Sequence, residues 1–334
     1  MKLKSFLAVS LTALLTLAGT TRAEVSEFKI AEQYGISYLP LLIMEDQKLI
    51  EKHAKAAGIN DLKVSWSKFA GGNVMNDALL SNSLDIATGG VGPFITLWAR
   101  TKGNYDIKAV SALNSMPIYL NTRNPNVKSL KDFTEKDKIA LPAVKVSIQA
   151  VTLQMAAEQV FGVGQQHKLD ALTVTMSHPD GQAAMLSSIG EVTGHFSAPP
   201  FQYQQLEKPG IRNVLNSFEV LGGPASFNLV WTTSKFRKEN PRVYGAFIKA
   251  LEEATAMINK DKAWAAETYL RISRDKDSKE NIMRMLNDPN IIFTATPQNV
   301  MKYVNFMHKI NSIKVMPDSW KDLFFPEAHG LSGS

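Results

Sequence analysis

The chain has 334 residues, with 37 Lys and Arg against 31 Asp and Glu, a formal net charge of +6 at pH 7, and no cysteine. The charges are interspersed, with no basic block and no base-stacking motif, which argues against a nucleic-acid partner. The missing cysteine excludes disulfides and a lipoprotein anchor, so the core alone must hold the fold.

The first predicted element is not part of that fold. "MKLK" is a basic start, "SFLAVSLTALLTLAG" an apolar run and "TRA" (21–23) a small-residue cleavage site. This is the pattern of a secretory signal cut after Ala23. The run is shorter than the roughly 18–20 apolar residues of a membrane span. Cleavage removes Lys2, Lys4 and Arg22, lowering the formal charge from +6 to +3, and leaves 311 residues (334 less 23). At about 150 residues per domain, that length suggests two lobes. A soluble, cysteine-free, exported chain points to the periplasm of a Gram-negative bacterium.

From Phe28 onward strands and helices alternate. "FKIAEQY" reads as a buried strand and "LPLLIMEDQKLIEKHAKAAG" as one amphipathic helix ending at Gly58. "LKVSWSKF", "LDIATG" and "DIKAVSAL" read as strands, with helices in "GNVMNDALLSNS" and "PFITLWARTKG" between them. This rhythm predicts βαβ units and a largely parallel sheet. It restarts between about 118 and 220: strands "PIYLNTR", "KIALPA", "LTVTMS", "VTGHFS" and "IRNVLN", with helices "SIQAVTLQMAAEQVFG" and "DGQAAMLSSIG". "FNLVWTT" is a further strand, and the remainder is helical, beginning at the Asn240-Pro241 start signal and continuing at 261–272, 278–286 and 297–311. No short internal repeat occurs. Crossovers near 114–118 and 221–227 would place a cleft between two α/β units, where helix starts and strand ends face a ligand.

The stretch "LLSNSLDIATGGVGPFITLWA" (79–99) sets three glycines between a strand and a helix. It is not a dinucleotide loop: Gly90-x-Gly92-x-x-Ile95 lacks the third glycine and contains Pro93, and no GKS or GKT occurs. Together with "AEQYGISYLPLLIMEDQ", "AL-x-x-x-x-x-D-I-A", "LPAVKVSIQA", "MLSSIGEVTGHFSAPPF" and "SKFRKENPRVYGAFIKALEEA", it resembles the substrate-binding proteins of ABC importers for nitrate, aliphatic sulfonates and taurine. The resemblance spans most of the chain beyond the signal. It implies an α/β, two-lobed type II periplasmic-binding fold with a ligand cleft between lobes. Lobe 1 is then 24–117 plus 222–334, and lobe 2 is 118–221.

On that reading Gly89, Gly90 and Gly92 let a strand-to-helix turn approach a ligand, while "AGGN" (70–73) and "KVSIQ" (145–149) open other helices in the same manner. Free N–H groups and about half a positive charge at each helix start are anion seats. The expected ligand-binding residues are Tyr34 and Tyr38 after the first strand, and Gly71, Gly72 and Asn73 at one helix start. Gly90 and Val91 serve at the next, and Ser147 and Gln149 in the second lobe. His195 joins them at a second-lobe strand end, with Phe196 and Phe227 as aromatic walls. Of Phe196, Phe201 and Phe227, two are expected to fill core. The six histidines show no metal-ligand spacing, and His178-Pro179-Asp180 reads as a turn with a helix start.

The segments 34–38, 70–73, 89–93, 147–149, 195–199 and 225–228 hold no Asp or Glu. A buried ammonium without a carboxylate partner costs several kcal/mol, so an anion lacking an amine is expected rather than taurine. The aromatic residues favour an organic sulfonate or aromatic carboxylate over bare nitrate. The resemblance implies a monomeric periplasmic protein without cofactor that delivers its ligand to permease and ATPase subunits. Rivals are a receptor for a thiamine-pyrimidine precursor, a periplasmic receptor serving a sensor, and a pyrimidine-synthase-like enzyme. The last family carries a cysteine-rich motif that this chain lacks.

Overall fold

The computed structural model describes residues 23–187 and 189–334. The predicted signal, up to Arg22, lies outside the described residues. No described helix is long and apolar enough to cross a membrane.

The described residues form twelve strands: β1 (Glu27–Glu32), β2 (Lys63–Lys68), β3 (Ala87–Gly90), β4 (Lys108–Ala112), β5 (Asn114–Ser115) and β6 (Tyr119–Thr122) come first. β7 (Lys138–Leu141), β8 (Thr173–Thr175), β9 (Val192–Phe196), β10 (Arg212–Asn216), β11 (Asn228–Thr232) and β12 (Ile292–Phe293) follow. Residues 119–216 build a five-stranded sheet of order β10-β6-β9-β7-β8. Outside that span β1 pairs parallel with β2, an Ile30–Ile86 bridge ties β1 to the entry of β3, and β11 lies antiparallel between β3 and β4. The chain therefore passes between the two strand groups twice, once before β6 and once after β10.

The sheets are mixed, not largely parallel. β7 runs parallel to both β8 and β9, but β6 is antiparallel to β9 and β10. The βα alternation fixes direction only for strands joined by a crossover helix. β6 and β11 enter their sheets from the opposite group and come in reversed.

The segment expected to be one helix from 39 to 58 is two, Leu39–Asp46 and Leu49–Ala56. Lys48, with φ 50°, turns the chain between them, and both pack against the twenty-residue helix Pro241–Lys260. The apolar faces continue across the break, so burial outweighs the cost of left-handed backbone at a lysine. Phe28 stacks on Phe236 at 5.5 Å and meets Phe247 edge-on at 5.9 Å, knitting the first strand to the late helices. Most buried apolar side chains form one continuous core, with a small satellite of Ala140, Met185 and Val192 under the second sheet.

Glu32, at the end of β1, is only 3% exposed and pairs with Lys68 at 3.1 Å, while its Oε2 has no hydrogen-bond partner among the described residues. Desolvation outweighs the Lys68 attraction, Glu45 adds repulsion, and the carboxyl is pushed up to about 7. The native state thus keeps a proton that the unfolded chain releases from about pH 4.5 upward. Stability falls as pH rises through that window, by on the order of 3 kcal/mol in all. The Glu32→Gln protein should gain on wild type between pH 4.5 and 7 and hold a constant difference above it. Denaturant titrations at half-unit pH steps measure this directly. A pH-independent difference would mean that Glu32 is ionised at no cost.

Candidate ligand-binding site

The parallel strands end where four helices begin. Gly72–Leu80 follows β2, Val91–Thr101 follows β3, Ile148–Phe161 follows β7 and His178–Leu186 follows β8. Their starts converge on one cavity lined by Gln33, Tyr38, Gly72, Gly90, Pro93 and Pro142, together with Ser147, Ile148, Gln149, His178, Phe227 and Asn228. The cavity holds about 20 Å³, room for roughly one water.

Each helix start arises from its own residues. Gly71 and Gly90 are N-caps without a side chain, so neither satisfies a first-turn N–H. Val91 N–H donates to the Phe227 carbonyl at 3.2 Å and Pro93 has no N–H, which leaves Gly92 as the donor of that first turn. Ser147 caps its helix by accepting from Ala150 N–H at 3.2 Å, and Ser177 accepts from Asp180 N–H at 3.3 Å. The first turns at Ile148, Gln149 and His178 keep donors of their own, and each helix adds about half a positive charge at its start.

No lining residue is charged. Burial lowers the His178 imidazole to about 4, and burial followed by repulsion from His178 holds His195 well below its ordinary value, so both are neutral at pH 7. Burial, then the nearby Glu32, raises the Tyr38 hydroxyl well above its usual value, and it remains a hydrogen-bond donor. Asn228 is wholly buried, lines the cavity, and has no hydrogen-bond partner for either Nδ2 or Oδ1 among the described residues. A buried amide in that state costs about 1–3 kcal/mol.

Two of the helix starts touch across the cavity mouth. A Cβ built on Gly90 would lie 2.6 Å from Ile148 Cγ2, and one on Gly92 would lie 2.8 Å from the Val146 carbonyl oxygen. Neither glycine has positive φ. Close approach, not backbone conformation, explains their small size.

The structure gathers six of the twelve expected ligand residues on this cavity: Tyr38, Gly72, Gly90, Ser147, Gln149 and Phe227. Gly71 stands just outside, with a built Cβ 3.2 Å from the Pro142 carbonyl oxygen. Asn73 is half-buried in the first turn of its helix, and the buried Val91 is tied to Phe227 through its backbone N–H. Tyr34 lies apart, its ring 5.5 Å from Lys68 Nζ. His195 is fully buried one side chain behind the cavity, against His178. Of the three phenylalanines, Phe227 lines the cavity, Phe196 belongs to the core and Phe201 stacks on His178 at 5.8 Å.

Sequence reasoning missed Gln33, Pro93, Pro142, Ile148, His178 and Asn228 as site residues. His178 carried the strongest available signal, since it opens a helix directly after a strand as Gly72 and Ile148 do. Among the described residues no cluster of three or more His, Cys, Asp or Glu is placed to hold a metal ion.

The model of the NMT1-like family matches residues 22–273. A search of curated proteins finds no match. Solved structures share the fold. The alkanesulfonate-binding protein SsuA from Xanthomonas axonopodis pv. citri superimposes with TM-score 0.69 at 16% identity, over 92% of this chain and 99% of its own. The periplasmic nitrate-binding protein NrtA from Synechocystis PCC 6803 gives 0.68 at 14% identity, over 92% and 86%. The Candida albicans CA3427 product, described as having the generic periplasmic binding protein fold, gives 0.67 at 18% identity, over 90% and 96%. The architecture is therefore the α/β periplasmic-binding fold, and the sulfonate- and nitrate-binding proteins that share it are substrate-binding proteins.

Proposed function

This chain belongs to the NMT1-like family, and from that premise we propose that it is the periplasmic solute-binding component of an ABC importer. Its ligand is a small organic anion without an amine, a sulfonate or an aromatic carboxylate. The units 24–117 plus 222–334 and 118–221 act as lobes that close around it. After loss of the signal the monomer hands the ligand to permease and ATPase subunits and performs no chemistry.

One observation carries this reading: four helix starts converge on a cavity with no charged side chain in its lining. Backbone N–H groups and helix dipoles there favour an anion without a lysine or arginine. No carboxylate waits for an ammonium. A ligand of several heavy atoms needs more than about 20 Å³, so binding is coupled to parting and re-closing of the Gly92 and Val146–Ile148 segments.

A second reading rests on Asn228. Its amide offers both a donor and an acceptor, which also suits the ring of a neutral thiamine-pyrimidine precursor.

A thermal-shift screen of residues 24–334 separates the two. The panel holds nitrate, alkane- and arylsulfonates, taurine, aromatic mono- and dicarboxylates and hydroxymethylpyrimidine. At 100 times its dissociation constant a ligand adds about 2.7 kcal/mol of stability. The expected hit is an amine-free organic anion. Hydroxymethylpyrimidine as the best ligand would move the assignment to the second reading, and taurine would overturn the argument from the uncharged lining.

A further inference from the structure

We propose that a buried hydrogen-bond relay from Asn121 through Gln205 and His195 fixes the tautomer of His178, and thereby turns the Gln149 amide NH2 toward the ligand. The consequence for ligand choice rests on the site reading above; the relay itself does not.

The relay is anchored on backbone. Asn121, on β6 and fully buried, directs Nδ2 at the Gln202 carbonyl at 2.9 Å, and only a donor can face a carbonyl oxygen. Its Oδ1 accepts from Asn213 Nδ2 at 3.3 Å, itself held by the Leu215 carbonyl at 2.9 Å. Asn121 Nδ2 also donates to Gln205 Oε1 at 3.1 Å, so the Gln205 amide has one permitted orientation. Its NH2 then faces His195 and donates to Nδ1 at 2.7 Å.

From there the protons follow by elimination. His195 Nδ1 accepts, so it is bare, and the single proton of a neutral imidazole sits on Nε2. That nitrogen lies 3.1 Å from His178 Nδ1, which must accept in turn. The His178 proton is therefore on Nε2, and the atom placed 3.3 Å from it is the Gln149 amide nitrogen Nε2. Two donors cannot face each other there. The relay therefore requires the Gln149 amide turned over by 180°, exchanging its O and N, which puts the carbonyl oxygen against His178 and leaves the NH2 for the cavity that the residue lines.

Space is made for the relay in the backbone. A Cβ at Gly181, in the His178 helix, would lie 2.8 Å from His195 Nε2. Burial independently keeps both rings neutral. Protonating His195 Nδ1 would also set an N–H against the Gln205 NH2.

For the ligand, the wall at Gln149 shows the amide NH2 alone, because the His178 N–H is engaged by the Gln149 carbonyl oxygen. A sulfonate or carboxylate oxygen is accepted there, whereas an ammonium meets like-signed dipoles. Gln205 and His195 are thus positioning residues that act through His178 and Gln149.

The test uses histidine-15N-labelled residues 24–334 without ligand at pH 7, reading long-range proton–nitrogen correlations of the two imidazoles. Single substitutions of His178 and His195 assign the signals. The expected result is one bare nitrogen and one protonated nitrogen in each ring, with the proton on Nε2 in both. An Nδ1–H tautomer or an imidazolium at either residue overturns the relay. Gln205→Glu replaces a donor by an acceptor and should move the His195 proton to Nδ1 and the His178 proton with it. Affinity for an amine-free anion should then weaken at least tenfold. Should that variant not fold, Gln205→Met serves the same purpose, with loss of the single-tautomer pattern expected and its retention overturning the proposal. Because the spectra are recorded without ligand, failure of the anion panel would leave this result standing.

Discussion

Replacing Asn228 by leucine should weaken ligand binding by on the order of 100-fold and at the same time make the unliganded protein more stable. The two effects share one cause. Asn228 is fully buried on β11 with neither amide atom hydrogen-bonded among the described residues. Only its backbone is engaged, with its N–H donating to Asn114 Oδ1 at 3.2 Å. An apolar side chain of similar shape removes a penalty of about 1–3 kcal/mol, which at roughly 2–4 °C per kcal/mol is a rise of several degrees. The same change deletes the donor and acceptor offered to the ligand, a loss on the order of 100-fold in affinity at about 1.5 kcal/mol per hydrogen bond. Thermal melts with and without ligand give both numbers. A drop in unliganded stability would mean that the amide has structural partners, and unchanged affinity would remove Asn228 from the site.

Gly92→Ala should weaken binding by about tenfold to a hundredfold while leaving its own helix intact. Alanine is a better helix former than glycine at this position, and φ there is not positive. The methyl instead meets the Val146 carbonyl oxygen at 2.8 Å, a backbone atom that cannot swing aside. Such overpacking costs about 1–3 kcal/mol, and it falls on the arrangement in which the two helix starts touch. Gly245→Ala is the control, because a Cβ there has nothing within 4 Å. Calorimetric titration should separate the two variants. Equal dissociation constants would mean that the ligand is held without this contact.

Much of the site was legible because helix starts carry local chemistry. "AGGN", "GGVGP" and "KVSIQ" place caps and small residues directly after strands, and all three segments reach the cavity. "SHPD" has the same character: Ser177 caps, Pro179 starts the helix and Asp180 follows. Its complete capping gave a sufficient structural reason for His178 and hid its place in the site. Asn228 was hidden differently. A polar residue inside "FNLVWTT" looks like any strand position until the sheet shows that it faces a cavity and meets no partner.

The relay lay beyond sequence reasoning, because Asn121 and Gln205 are 84 residues apart and meet only through the second sheet. Strand direction failed for a related reason. β11 pairs with β3 and β4 across more than a hundred residues, and periodicity carries no information on that pairing. The helix break at Lys48 left no glycine or proline to mark it.

The most direct measurement is calorimetric titration of residues 24–334 with the best amine-free organic anion from the screen, side by side with Asn228→Leu and Gly92→Ala. The expected result is saturable one-site binding by wild type, a dissociation constant raised on the order of 100-fold by Asn228→Leu and at least tenfold by Gly92→Ala. Equal binding by all three proteins would contradict the assignment of the ligand to the cavity where the four helix starts converge.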